Sequence, residues 1–256
     1  MKTRLLLRKL ANRFPKRYAK MNRDYVGLMC GKLPEEVHKI FLCLDCDWEV
    51  FPEIEKVKPD LVLTHHPFIY GTRSFVFKRY PSKKALNDKL ESLNIPVYSM
   101  HTNFDTGCGG MNDALAEALG LEDIKVVEGN IMMRGGRLKE PMDVKEFAEY
   151  AKKKLGVDYA LLTAYGNSVI KSAAIIGGAG SGNFYIAQNA GYDIFISGDV
   201  PHHVRRDIVD SKYNYLDVPH EVEKIFMPTM KKLLLELDNN LEILEVNHEK
   251  MPKVIC

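Results

Sequence analysis

The sequence predicts an α/β protein of two α/β lobes, each with a largely parallel sheet flanked by helices. The chain has 256 residues, which suits one large domain or two modest ones. Its 46% hydrophobic and 27% charged residues exclude disordered, collagen-like and disulfide-scaffold classes. Short β-rich runs alternate with helical patterns, as in βα units. We place a soft boundary near residues 120–140 and assign residues 1–125 and 126–256 to the two lobes, with the C-terminal part able to pack back on the first.

The first lobe begins the alternation of strands and helices. Its predicted strands are short apolar runs (IFLCLD, LVLT and PVYSM) at residues 40–45, 61–64 and 96–100. Its predicted helices have apolar residues at helical spacing and cover residues 50–57, 83–93 and 111–119, the last of them ended by Gly120.

The second lobe repeats the pattern. Residues 123–140 are predicted to form a pair of strands joined by a turn. Further strands are predicted at residues 159–163, 173–176, 193–197 and 241–246. Helices are predicted at residues 144–155, 183–190 and 222–237, and the last of these is amphipathic.

Neither a membrane span nor an export signal is predicted. No window approaches the roughly 18 apolar residues that a span needs, and the leucine run at residues 5–7 is short and bordered by basic residues. The five cysteines (Cys30, Cys43, Cys46, Cys108 and Cys256) are odd in number and scattered, which favours reduced thiols over a disulfide framework. We therefore expect a cytoplasmic protein that does not associate with a membrane.

Basic residues are concentrated at the N-terminus. Residues 1–23 hold nine of the 36 lysines and arginines and no acidic residue, although the net charge of the chain is only +2. Leu6, Leu10 and Phe14 lie at helical spacing in the same segment. One interpretation is an amphipathic arm for nucleic acid or another anionic surface. We favour the other, a docked first helix with a solvated basic face.

Histidines cluster after predicted strands. THHP contains His65 and His66 and follows LVLT, HTNFD contains His101 and follows PVYSM, and GDVPHH contains His203 and follows DIFIS. Ligands of open parallel sheets bind beyond the carboxyl ends of the strands, where such loops converge. The pattern therefore predicts a shared site at these ends.

The residue types at these positions indicate a metal site. Imidazole and carboxylate are natural ligands of Zn, Fe, Mn or Ni. The side chains of the adjacent His65 and His66 should diverge, which suits two neighbouring ions. Asp105 follows His101 by four residues, and His220 and Glu223 are three apart, a spacing that shares one helical face.

The sequence resembles the family of GTP cyclohydrolase type 2 homologs, the Nif-three-like proteins. The motifs that carry the resemblance span nearly the whole chain: DYVGLMCG, LDCD, DLVLTHHPFIYG, SMHTNFDTGCGGMNDALAEALGL, AAIIGGAGSG, GYDIFISGDVPHHVRRDIVD and LDVPHEVEKIF. The resemblance implies two α/β lobes, a centre of two divalent metal ions in the cleft between them, and assembly into a toroidal homohexamer.

Position by position, the resemblance implies a set of five metal ligands, namely His65, His66, Asp105, His220 and Glu223. It also places His101 and His203 in the pocket as candidate catalytic residues. The family usually has GHxxxE at the last site, whereas here Pro219 replaces the glycine and Lys224 stands at the position of the acid. We assign Glu223 because i and i+3 share a helical face, and Glu221 remains the alternative.

A glycine-rich loop, GGAGSGN at residues 177–183, joins a predicted strand to a predicted helix. Its backbone N–H groups could hold an anion, but the loop lacks the GK[ST] ending of a P-loop and the spacing of GxGxxG. A structural tight turn is the alternative interpretation.

Two function classes follow from these features. The first is a metal-dependent hydrolase of a nucleotide or related small molecule, in which two ions activate water for chemistry like that of a GTP cyclohydrolase or for phosphoester hydrolysis. The second is a ring-forming, metal-bound regulatory protein without turnover, which could contact nucleic acid through its basic N-terminal segment.

Overall fold

A computed structural model describes residues 1–255 and divides the chain into two compact units. The first unit contains Met1–Gly110 and Phe226–Glu249, and the second contains Met111–Ile225 and the segment from Lys250 onward. Cys256 lies outside the described residues.

The elements are numbered in chain order. The α-helices are α1 (Thr3–Arg13), α2 (Lys16–Met21), α3 (Phe51–Val57), α4 (Arg73–Arg79), α5 (Pro81–Ser92), α6 (Thr102–Thr106), α7 (Met111–Ala118), α8 (Val144–Leu155), α9 (Phe184–Asn189), α10 (His202–Asp210) and α11 (Phe226–Leu237). The strands are β1 (Gly27–Cys30), β2 (Lys39–Cys43), β3 (Leu61–Thr64), β4 (Val97–Ser99), β5 (Glu122–Val127), β6 (Asn130–Asp143), β7 (Leu161–Ala164), β8 (Val169–Ile175), β9 (Ile194–Ser197), β10 (Asn214–Asp217) and β11 (Glu242–Glu245).

The first unit is built on a five-stranded sheet in the order β1-β4-β3-β2-β11. The pairings β4-β3, β3-β2 and β2-β11 are parallel, and β1 is added antiparallel at the edge. The central strand LVLT is buried along its whole length, as expected of a strand covered on both faces. His65 is the first residue after the carboxyl end of this strand.

The second unit is built on a six-stranded sheet in the order β5-β6-β8-β9-β10-β7. Parallel pairings join β8, β9 and β10 at the centre, while β5, β6 and β7 are antiparallel flanks. Its core packs Phe195 and Tyr215 with Phe184 and Ile208. The structure thus confirms a mixed α/β protein with two sheets flanked by helices, in which five of the nine strand pairings within residues 1–255 are parallel.

The change of unit in the structure falls between Gly110 and Met111, whereas the sequence assigned residues 1–125 to the first lobe. Helix α7 belongs to the second unit because it packs against β5, β6 and β8. Helix α11 and strand β11 return to the first unit because β11 extends the sheet beside β2 and α11 packs on both strands.

The predicted helix at residues 222–237 is wrong in its first turn. Residues His220–Ile225 form a 3₁₀ helix, and the α-helix begins at Phe226. Pro228 is the reason, because proline lacks an N–H and its ring clashes with the carbonyl four residues earlier. The α-helix can therefore accommodate Pro228 only in its first turn, and the preceding residues take the tighter helix.

The basic N-terminal segment is docked, which confirms the favoured interpretation. Leu6, Leu10 and Phe14 are buried on one face of α1 and the residue after it, and the Phe14 ring lies 4.8 Å from that of Phe104 between centroids. All nine lysines and arginines of residues 1–23 are exposed. Among the helices of residues 1–255, none has the length and apolar character of a membrane crossing.

Candidate metal centre

Three histidines of the first unit come together beyond the carboxyl ends of two neighbouring strands. His65 and His66 follow β3, and His101 follows β4, its parallel neighbour. Each offers a ring nitrogen, and these atoms all lie within 4.8 Å of one another. Nε2 of His65 also lies 3.5 Å from Oδ1 of Asp105. We call these four residues the histidine cluster.

Each imidazole of the cluster is held through its Nδ1 atom. Nδ1 of His65 donates to the carbonyl oxygen of Met100 at 2.9 Å, and because a carbonyl can only accept, the proton of this ring is on Nδ1. Nδ1 of His66 donates to Asp45 at 2.7 Å, and Nδ1 of His101 donates to Asp24 at 2.8 Å. In this tautomer the lone pair is on Nε2. Metal-binding histidines are typically held by such a second hydrogen bond.

The supporting carboxylates are kept ionised by these same contacts. Burial by itself raises the pKa of Asp24, but hydrogen bonds from His101 and Thr102 outweigh it, and the pKa is lowered. The pKa of Asp45 is likewise lowered, because the hydrogen bond from His66 and nearby positive charge, including that of Lys83, outweigh burial. Ionised carboxylates accept from the Nδ1–H groups and make the imidazoles better electron donors.

The cluster is fixed by packing. His65 is fully buried, with its ring centroid 5.3 Å from that of Phe226 and 6.5 Å from that of Phe104. Asp105 is buried and lies in the short helix α6, which the sequence did not predict. The reason is that Asp24 accepts from both the backbone N–H and the hydroxyl of Thr102, which supports the first turn of that helix.

A second group of ligand-type residues lies in the second unit. Nε2 of His220 is 3.1 Å from Oε2 of Glu223, and Nδ1 of His220 is 2.6 Å from Oδ2 of Asp199. The 3₁₀ helix explains the pairing, because residues three apart are eclipsed at three residues per turn. Glu223 is buried, whereas Glu221 is half-buried and has no such contact with the His220 ring among the described residues. The geometry favours Glu223 over Glu221 as the partner of His220.

The glycine loop packs against this pair. A Cβ atom on Gly178 would lie 2.2 Å from Oε1 of Glu223, and the residue has a φ of +60°. N–H groups of the loop are used within the protein: Gly177 donates to Asn112, and Gly180 donates to Ser197 and to the carbonyl of Gly178. These bonds favour a tight turn that admits the Glu223 side chain over an anion-binding loop.

The structure does not bring His203 into either group. It is exposed at the start of α10, preceded by Pro201 as N-cap. Within residues 1–255 it belongs to neither set of side chains that could hold a metal ion.

The donor atoms of the histidine cluster suit a divalent transition metal. Three imidazoles held through Nδ1 and one buried carboxylate form a mixed nitrogen and oxygen donor set. His101, which the sequence placed in the pocket as a candidate catalytic residue, has the geometry of a further ligand. Residues at this site therefore fit a metal ion.

Sequence reasoning did not assign roles to the carboxylates that hold the imidazoles. Asp45 is the last residue of the predicted strand IFLCLD, and Asp24 and Asp199 lie within the DYVGLMCG and GDVPHH motifs, but none of the three was assigned a role. Their positions at loops next to strands, beside motifs rich in histidine, were the available signal.

The fold and the cluster define a class: α/β proteins with a histidine-rich candidate metal centre at the carboxyl ends of parallel strands. The family model Duf34/NIF3 (NGG1p interacting factor 3) matches residues 1–252, and the chain belongs to this family.

Relatives and solved structures agree with this assignment. A GTP cyclohydrolase 1 type 2 homolog from Clostridium perfringens is 32% identical over 240 residues, which covers 90% of each chain. A hypothetical protein from Staphylococcus aureus has a crystal structure with a TM-score of 0.88, 25% identity and 99% coverage of both chains. A NIF3-related protein from Bacillus cereus shares the fold with a TM-score of 0.88, at 21% identity and covering 100% of this chain and 99% of its own.

Proposed function

We propose that this protein is a metal-dependent hydrolase that acts on a nucleotide or a related small molecule. The observation that carries the proposal is the set of three imidazoles within 4.8 Å of one another, each held at Nδ1 by an acceptor. The similarity to the C. perfringens relative, a GTP cyclohydrolase 1 type 2 homolog, supports the nucleotide class.

The ligand set that we propose is the one that the resemblance implies, with His65, His66, Asp105, His220 and Glu223 for two divalent ions. Such ions supply Lewis acidity and lower the pKa of a bound water. The donor types of these residues are compatible with Zn, Fe, Mn and Ni, because all four metals accept imidazole and carboxylate ligands.

The residues of the cluster have separate tasks in this proposal. Buried Asp105 contributes negative charge that a neutral side chain cannot replace. His101 is not among the five proposed ligands, so its Nε2 atom would accept a proton, and Asp24 would stabilise the resulting imidazolium through the Nδ1 hydrogen bond. We propose His203 as a second proton-transfer group, a role that rests on the resemblance.

Assembly and compartment complete the proposal. The resemblance supports a toroidal homohexamer, which light scattering of the purified protein tests. All four cysteines within residues 1–255 are free thiols, which supports the cytoplasm as the compartment.

The test combines metal analysis with a nucleotide screen. The purified protein should contain transition metal and should consume a nucleotide in a reaction that stops after chelation and resumes when metal is restored. The Asp105→Asn variant should not regain nucleotide consumption when metal is restored. Consumption that survives complete removal of metal would contradict the proposal.

A second candidate function is a metal-bound regulatory protein that contacts nucleic acid without turnover, favoured by the nine exposed basic residues of residues 1–23. Binding to nucleic acid should then weaken steeply with salt, because phosphate contacts release counterions. Replacing Lys9 and Arg17 with serine should reduce both the affinity and its dependence on salt.

A further inference from the structure

A small pocket of the first unit lies next to the histidine cluster. It has a volume of about 270 Å³ and is lined by residues of α2, the following loop and β1, among them Lys16, Lys20, Asp24, Tyr25, Leu28 and Met29. We call it the lysine pocket. It is distinct from the metal ligands described above, although one of its lining residues contacts them.

Asp24 connects the lysine pocket to the cluster. Its Oδ2 atom accepts from Nδ1 of His101 at 2.8 Å and from the hydroxyl of Thr102 at 2.7 Å. Its Oδ1 atom accepts from the backbone N–H of Tyr25 at 2.7 Å. A molecule in the pocket would therefore lie one side chain away from a candidate metal ligand.

The charge of the pocket is positive. Lys16 and Lys20 are four residues apart on α2, so they share one face of the helix, and both are exposed. Across residues 1–255, neither lysine forms an ion pair, and both carboxylate oxygens of Asp24 are occupied by other donors. The ammonium group of Lys16 lies 5.4 Å from the ring centroid of Tyr98, which positions it over an aromatic face.

The volume of the lysine pocket limits the kind of ligand that it can hold. The volume is below the roughly 300 to 1,000 Å³ of a site that encloses a whole drug-sized molecule. It is suited to part of a ligand, and lysines are common phosphate binders that act as point charges. Tyr25 is 41% exposed at the rim and meets Tyr70 edge to face at 5.4 Å between centroids. The rim therefore adds an aromatic wall beside the positive charge.

We propose that the lysine pocket binds a phosphate group of the substrate, remote from the atoms that react at the metal centre. The inference rests on the proposed function and names its substrate class, a phosphorylated small molecule. Lys16 and Lys20 act as binding residues, and Asp24 is a positioning residue that links the two sites.

The test measures binding of inorganic pyrophosphate to the full-length protein by calorimetry, with and without its metal. Lys16→Met/Lys20→Met keeps the aliphatic stems and removes both charges. We expect its affinity for pyrophosphate to fall at least about tenfold, as for the loss of hydrogen bonds to charged groups. The decrease should persist in metal-free protein. The control is Lys125→Met/Lys145→Met, which removes the same charge from exposed residues outside the pocket and should bind pyrophosphate normally.

The outcomes separate this inference from the proposed function. Equal losses in the two double variants would overturn the lysine pocket, because only overall charge would then matter. The protein could instead bind a single-stranded oligonucleotide more tightly than pyrophosphate, with that binding dependent on Lys16 and Lys20. This result would also overturn the phosphate-binding role of the lysine pocket and would favour a nucleic-acid surface. Failure of the hydrolase proposal would appear elsewhere, as absence of metal-dependent turnover while lysine-dependent binding of pyrophosphate remains.

Discussion

Oδ2 of Asp45 lies 2.7 Å from Nδ1 of His66, joining the segment that follows β2 to the one that follows β3. This contact fixes the tautomer of His66. Asp45→Ala should therefore lower metal affinity by about 10-fold to 100-fold, the usual cost of losing such a partner, without unfolding the protein. Competition with a chromogenic chelator measures the change. Asp88→Ala removes an exposed carboxylate of α5 and serves as the control, and equal metal affinities in both variants would contradict the role of Asp45.

Gly178 admits the side chain of Glu223. A Cβ atom there would lie 2.2 Å from Oε1 of Glu223, and a φ of +60° disfavours any side chain. We expect Gly178→Ala to lower the free energy of unfolding by about 1 to 3 kcal/mol and to reduce metal content. Gly182→Ala in the same loop is the matched control, because its Cβ would meet nothing within 4 Å. Similar denaturation curves for the two variants would rule out this packing role.

Asp105→Asn and His203→Ala should differ in kind. Asp105 is buried beside His65, so its neutral isostere should empty the site while circular dichroism stays unchanged. His203 is exposed, and its loss should slow turnover by about 10² to 10⁴ with metal retained, as for a proton-transfer group. Metal analysis and nucleotide turnover on both proteins decide the matter. Full metal content in folded Asp105→Asn would refute its assignment as a ligand.

The buried thiols predict a loss of stability at alkaline pH. Burial raises the pKa of Cys30 to about 12 and raises those of Cys43 and Cys46 as well. In the unfolded chain these thiols ionise near pH 8.5. Since the folded state keeps their protons, the free energy of unfolding should fall as pH rises above that value. Denaturant titrations between pH 7 and 10 measure it, and a triple Cys→Ala variant should show a smaller slope.

Labelling with iodoacetamide at pH 8 checks the same thiols one by one. In a Cys256→Ser background, exposed Cys108 should react in the native protein. The other three cysteines should react only after unfolding, because the thiolate is the nucleophile and burial suppresses it. Rapid native labelling of Cys43 or Cys46 would contradict their burial.

Local patterns predicted much of the fold. Residues 144–155 were predicted as a helix and form α8, with Asp143 capping its start and Gly156 in the left-handed conformation at its end. The short helices α4, α6 and α10 were not predicted. Isolated helices of five to nine residues are marginal by themselves, and these depend on tertiary contacts.

The candidate site also has features that the sequence predicted and features that depend on tertiary contacts. By itself, the sequence placed His65, His66 and His101 at the ends of their strands, because a buried strand has a clear apolar pattern and a histidine after it is visible in one dimension. Only the tertiary structure decided which atoms hold these rings. Asp24 lies 77 residues before His101 along the chain, yet the two are 2.8 Å apart because β1 pairs with β4 at the edge of the sheet. Local periodicity carries no information on such a pairing, since it depends on the order of strands that are distant in sequence.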